Sequence, residues 1–188
     1  ENNKQSLQYL RDKINNSANS NGLRIGLIDA STSGNELDLK HGGVGLARKT
    51  GMDACLSILD YSIVKKKIII CLDADCTVSN NYLEEIIRSF NENNLSAASI
   101  NFKHNIDENS GTTAAIICYE IFLRYYVLSL KRADSPYSFE TIGSAMACDA
   151  ESYIKIGGMN KLKAAEDFYF LEKLSKVTTI NTIKRAIV

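Results

Sequence analysis

A chain of 188 residues, 45% hydrophobic and 23% charged, has the composition of a globular protein. It is long enough for one core and too short for two full domains. Lys and Arg number 22, as do Asp and Glu, so the net charge is zero and no basic stripe marks a nucleic-acid binder. The five cysteines, Cys55, Cys71, Cys76, Cys118 and Cys148, are odd in number and never spaced C-x-x-C. They lack the spacing of a zinc site or redox motif and read as cytosolic thiols. Residue 1 is Glu, and no charged-then-apolar leader follows it. The expectation is one domain over residues 1–188, trimmed at both ends.

The elements follow from apolar periodicity. Leu7, Leu10 and Ile14 recur at helical spacing in Ser6–Ile14, and Arg24–Ile28 is a short apolar run ending at Asp29. The small and polar residues ASTSGNELDLKHGG make a loop. Leu46–Leu59 reads as a helix, and the β-branched run after KKK, IIICL, as a strand buried on both faces. Asn80–Phe90 is predicted helical, with Tyr82, Leu83, Ile86, Ile87 and Phe90 on one side. Leu95–Phe102 is predicted as a strand, Ala114–Lys131 as a long helix, Ala165–Ser175 as a helix and Val177–Ile183 as a strand. Such alternation predicts an α/β sheet with helices on its faces. Thr112–Leu123 is the most apolar stretch, but Glu120 interrupts it and Arg124 follows, well short of the ~20 apolar residues that span a bilayer. Its aromatics, Tyr119, Phe122, Tyr125 and Tyr126, are read as those of a core or acceptor-wall helix, with an interfacial membrane contact as the alternative.

Three segments carry chemistry. In LDADC an apolar strand ends at Asp73 and Asp75, two carboxylates two residues apart and therefore on one side of an extended chain. Ligands of open α/β sheets bind beyond such strand ends. Two adjacent like charges are relieved by a hard cation, Mg²⁺ or Mn²⁺, which also accepts phosphate oxygens. Glu166 and Asp167 open the helix FYFLEKL, where the helix dipole stabilises acids, and the preceding Gly157 and Gly158 permit a bend that aims them at the sheet. In GVGLARKTGMDACL a glycine-rich turn leads into a helix carrying Arg48 and Lys49, an arrangement suited to an anion. The third glycine of a dinucleotide fingerprint would fall at Arg48, so that motif fails. His41 and His104 are read as loop residues, His41 within reach of a phosphate.

Taken in order, these segments resemble family 2 glycosyltransferases. LIDASTSG resembles the strand and loop whose aspartate, here Asp29, holds the nucleobase. GVGLARKTGMDACL resembles the family's G-x-x-x-A-R-N-x-G-x-x-x-A segment, with Arg48 on the arginine and Lys49 in place of the usual Asn. LDADC is similar to the D-x-D motif, TIGSAMACDAESYIKIGGMN to the acceptor-side segment, and AEDFYF to the E-D motif.

The resemblance implies a GT-A fold: a mixed, mostly parallel sheet flanked by helices and Rossmann-like in its nucleotide site. It implies Asp75 as the main metal ligand, Asp73 towards metal and sugar nucleotide, Asp167 as general base with Glu166 beside it, and Asp29, Arg48 and Lys49 around the nucleotide. The implied reaction is metal-dependent, inverting transfer of a hexosyl group from a nucleotide sugar, UDP by preference, to a glycan or lipid-linked hydroxyl. The implied setting is cell-surface polysaccharide biosynthesis, in the cytoplasm or at the cytoplasmic face of the membrane. No P-x-Y-N-E-like strand precedes Ser6, so the first strand is expected to be missing. No Q-x-x-R-W follows the E-D helix, which argues against a polymerising synthase.

Two other readings compete. IIICLDADCTV resembles the D-x-D-x-T-V signature of haloacid dehalogenase-type phosphatases, in which Asp73 would be the nucleophile and Asp75 the acid and base. A non-catalytic nucleotide-sugar binding fragment is the third.

Overall fold

The computed structural model describes residues 2–16, 24–38, 40, 42–106 and 111–188. His41 lies outside them. Their elements run α1 (Asn2–Asn16), α2 (Val44–Ile58), β1 (Ile68–Cys71), α3 (Tyr82–Glu92), β2 (Ala97–Asn101), α4 (Thr113–Arg132), β3 (Met146–Asp149), α5 (Ala150–Lys155), α6 (Glu166–Ser175) and β4 (Ile180–Ile187). The four strands form one sheet in the order β1-β3-β2-β4.

Strand β3 runs antiparallel to both neighbours, with Ile70 opposite Ala147 and Ala98 opposite Ala147 on its other edge. The β2–β4 pair is parallel, Ala97 against Ile180, with an irregularity between Ile100 and Asn101. The sheet is mixed and flanked by helices, as expected, but two of its three pairings are antiparallel. Parallel order follows from crossovers that return to the same end of the sheet. The segment from α4 to β3 instead enters from the opposite end, so β3 reverses.

Two-residue alternation divides the core between the sheet faces. Ile69, Cys71, Ala97, Met146 and Cys148 pack with Met52 of α2 and with Phe170, Leu171 and Leu174 of α6. Ala98, Ile100, Ala147 and Ile183 pack with Tyr82, Ile86 and Phe90 of α3. Those three are spaced by four, one narrow stripe of the helix; Leu83 and Ile87, predicted on the same side, are 60% and 50% exposed.

Two expectations change. Residues 24–30 form no strand. A strand exists only where a neighbour takes its backbone hydrogen bonds, and none of the described segments pairs with this one; Ile25 and Ile28 are left exposed. Helix α4 is not a core helix either. Of its 20 residues only Val127 is buried, and by length and composition it is apolar enough to cross a membrane.

Candidate active site

Strand β1 ends at Cys71 because its partner β3 begins at Met146, the residue opposite. Beyond it the chain turns rather than continuing extended: the Cys76 amide donates to the carbonyl of Asp73 at 3.2 Å. This corrects the expectation that Asp73 and Asp75 share a side. The turn sends the two carboxylates to different surroundings.

Asp73 faces α2. The Nη2 of Arg48 donates to both of its oxygens, at 2.8 and 2.9 Å. The Nη1 of Arg48 donates to Glu166 at the start of α6. Arg48 and Glu166 are both nearly buried, at 11% and 7% side-chain exposure. Burial alone would lower the arginine's pKa, but the hydrogen bond and charge of Asp73, with Glu166 behind it, outweigh that and raise it. One guanidinium therefore joins the D-x-D turn to the E-D helix. Its Nε has no hydrogen-bond partner among the described residues.

Two glycines make room for this clamp. A Cβ at Gly143 would run into the Arg48 guanidinium, and a Cβ at Gly45 would run into the Leu162 carbonyl and touch Cβ of Glu166. Here the glycine-rich turn serves close packing of α2 on the loop before α6. That loop is held by Asn160, whose side chain donates to the Glu166 carbonyl at 2.8 Å and accepts from the Leu162 amide at 3.1 Å.

The bend that aims α6 is at Ala165, a non-glycine residue with φ 56° and ψ 21° immediately before Glu166. Left-handed backbone at alanine is a strained conformation maintained by its surroundings. The bend was expected at Gly157 and Gly158. They do have positive φ, 74° and 77°, but they end α5: their amides donate to the carbonyls of Ile154 and Tyr153. Asp167 follows Glu166 in the first turn of α6, half-buried, one oxygen accepting from the Phe168 amide at 2.7 Å.

Asp75 is exposed and lines a cavity of about 270 Å³ with Cys76, Phe102, Lys103, His104 and Ser144. The volume suits a sugar or a phosphate rather than a whole nucleotide sugar. Among the described residues no three His, Cys, Asp or Glu side chains gather to cage a metal. The donor set instead fits an ion that arrives with a diphosphate, since Mg²⁺ is commonly held by one or two carboxylates together with substrate phosphates.

The remaining predicted residues stand apart from the clamp. Asp29 accepts from the amides of Ser31 and Thr32 and from the Thr32 hydroxyl. The Thr32 hydroxyl first, then the two amides, hold its pKa below the usual value. Arg11 pairs with it at 3.7 Å. Lys49 pairs with Asp53 at 2.9 Å, one turn along α2, and Asp53 accepts from the Tyr153 hydroxyl at 2.7 Å.

Gly143 and Ser144 lie in the segment TIGSAMACDAESYIKIGGMN that resembles the acceptor side, but the local pattern assigns neither a role, and His104 reads only as a loop residue. Only the antiparallel entry of β3 brings residues 142–146 past the end of β1.

The sequence model described as Glycosyl transferase family 2 matches residues 38–157, a span that includes Arg48, the D-x-D turn and Gly143. The chain belongs to glycosyltransferase family 2. No match to curated proteins or to solved structures accompanies it. Membership in the family implies a nucleotide-sugar donor and an acceptor, and it sets aside the phosphatase reading of LDADC.

Proposed function

We propose that this glycosyltransferase moves a hexosyl group from a nucleoside-diphosphate sugar, UDP-linked by preference, to an acceptor hydroxyl with inversion at the anomeric carbon. The observation that carries the reading is the Arg48 bridge, which draws residues 73 and 166 to one place although they are remote along the chain. Asp75 would hold Mn²⁺ or Mg²⁺, with Asp73 joining it through lone pairs that Arg48 leaves open once the turn between them adjusts, and such an ion would neutralise the leaving diphosphate.

Each side chain has a separate task. Asp167 takes the proton from the attacking acceptor hydroxyl. Glu166 and Asp73 are positioned by Arg48, which fixes the distance between acceptor side and donor side. The cavity beside Asp75 and His104 receives the sugar or its phosphate. Asp29 and Lys49 belong to the nucleotide side in this reading, and their present partners would have to be exchanged on binding. The five unpaired thiols support a reducing, cytoplasmic setting.

The test is thermal stabilisation by UDP and UDP-sugars, with and without Mn²⁺. Ligand at a hundred times its Kd raises native stability by about 2.7 kcal/mol. Metal-dependent stabilisation followed by release of UDP to an acceptor is the expected result. Binding without turnover would favour a nucleotide-sugar binding fragment, and no binding of any nucleotide sugar would end the proposal.

A further inference from the structure

Helix α4 is amphipathic in the reverse sense for a helix exposed to water. Its charged side chains in mid-helix turn towards the protein. Glu120 accepts from the backbone amide of His104 at 3.0 Å, contacts the His104 ring at 3.1 Å and pairs with Arg124 at 3.0 Å. Arg124 in turn donates to the Phe102 carbonyl at 2.6 Å and lies over the Phe102 ring, 4.7 Å from its centroid. The opposite side is apolar and open: Ile121, Phe122, Tyr125 and Leu128 are 61%, 59%, 67% and 63% exposed.

We infer that this outward face of α4 seats the protein on a lipid bilayer carrying anionic headgroups. Three observations choose lipid over a second copy of the chain. First, at 100° per residue the uncharged exposed side chains spread from Ile117 round to Tyr119, an arc of about 200°. A partner helix covers a stripe about half as wide, whereas a bilayer surface wraps the whole arc. Second, the tyrosines present an apolar ring and a polar hydroxyl, the combination found where hydrocarbon meets headgroups. Third, Arg132 in the last turn falls within this arc, a cation suited to anionic headgroups, whereas Lys131 lies on the side of Glu120 and Arg124.

The helix lies in the surface rather than across the bilayer. Its middle is fastened to His104 and Phe102 by the bonds above. A spanning helix would have to bury that middle in hydrocarbon.

Membrane seating does not depend on the transferase reading. Its one link to that reading is that His104, bonded to Glu120, also lines the Asp75 cavity. This puts the inward side of α4 next to the sugar cavity and suits a lipid-carried acceptor.

The experiment is flotation of the intact protein with two kinds of vesicle, phosphatidylcholine alone and phosphatidylcholine with one-third phosphatidylglycerol. The wild-type protein is expected to float with the mixed vesicles and less with the neutral ones. F122E/Y125E, at exposed positions, is expected to keep the wild-type melting temperature and to lose about tenfold or more in vesicle affinity. Arg132→Ala should weaken binding to the mixed vesicles roughly fivefold, and Lys131→Ala, on the inward side, should weaken it less. Wild-type protein that never floats, or F122E/Y125E that floats equally well, would overturn the inference. A dimer in sedimentation velocity that F122E/Y125E dissolves, with no flotation, would overturn it in favour of a second copy. Flotation is read without donor or acceptor, so it can succeed where glycosyl transfer fails.

Discussion

Arg48 and Glu166, 118 positions apart, form an ion pair that is almost closed to solvent, and the same guanidinium takes both oxygens of Asp73. A charge buried to this extent is stable only with its counter-charge.

Arg48→Ala is therefore expected to cost about 3 kcal/mol, because it strands the Glu166 carboxylate. Arg48→Lys restores a charge but has no planar fork, so it should satisfy one carboxylate and fall between the two. Urea midpoints of the three proteins measure the order, and wild-type stability in Arg48→Ala would show that the pair contributes nothing.

Asp167→Asn should leave nucleotide-sugar binding almost unchanged and lower transfer by about 10²- to 10⁴-fold, the usual effect of a positioned base. Asp75→Ala should instead remove the metal dependence of nucleotide binding. Titration calorimetry and a transfer assay on both variants separate the two roles; a swap of the two phenotypes would reverse the assignment.

Glycines of the same helix should respond oppositely to alanine. Gly51, inside α2, has nothing within 4 Å of a built Cβ, so Gly51→Ala should stabilise by about 0.5–1 kcal/mol through helix propensity. Gly45 meets the Leu162 carbonyl, so Gly45→Ala should destabilise by about 1–3 kcal/mol and disturb the Glu166 pair. Thermal melts of the two variants decide this.

Burial pushes the Cys71 thiol up to about 11 from 9.0, despite the opposing charge of Arg48. Because the folded pKa is the higher one, the contribution is complete below pH 9 and is lost as the pH rises to about 11. The stability advantage of wild type over Cys71→Ala should shrink across that window by roughly 2–3 kcal/mol. At neutral pH iodoacetamide should modify exposed Cys118 first and reach buried Cys71 and Cys148 only on unfolding.

Much of this molecule was legible in its amino-acid order. The helices at Leu46–Leu59, Asn80–Phe90, Ala114–Lys131 and Ala165–Ser175 and the strand IIIC lie within a few residues of their predicted limits, because hydrophobic period and β-branching act locally. The motifs that resemble family 2 glycosyltransferases were likewise readable, since each is a short contiguous run. What could not be read was which side chain each acid would meet. The D-x-D pair looks like two acids on one strand face until the Asp73–Cys76 turn separates them.

Sequence by itself thus determined most of the helices and strands and the motifs of the family, though not β3 or α5, since propensity, apolar spacing and motif order belong to neighbours along the chain. Tertiary structure alone decided that β3 enters antiparallel between β1 and β2, that Arg48 rather than a glycine-turn amide takes the acids, and that α4 turns its charges inward. Each of those outcomes depends on a partner dozens of residues away. The energy of a buried charge or an apolar face is set by what finally packs against it.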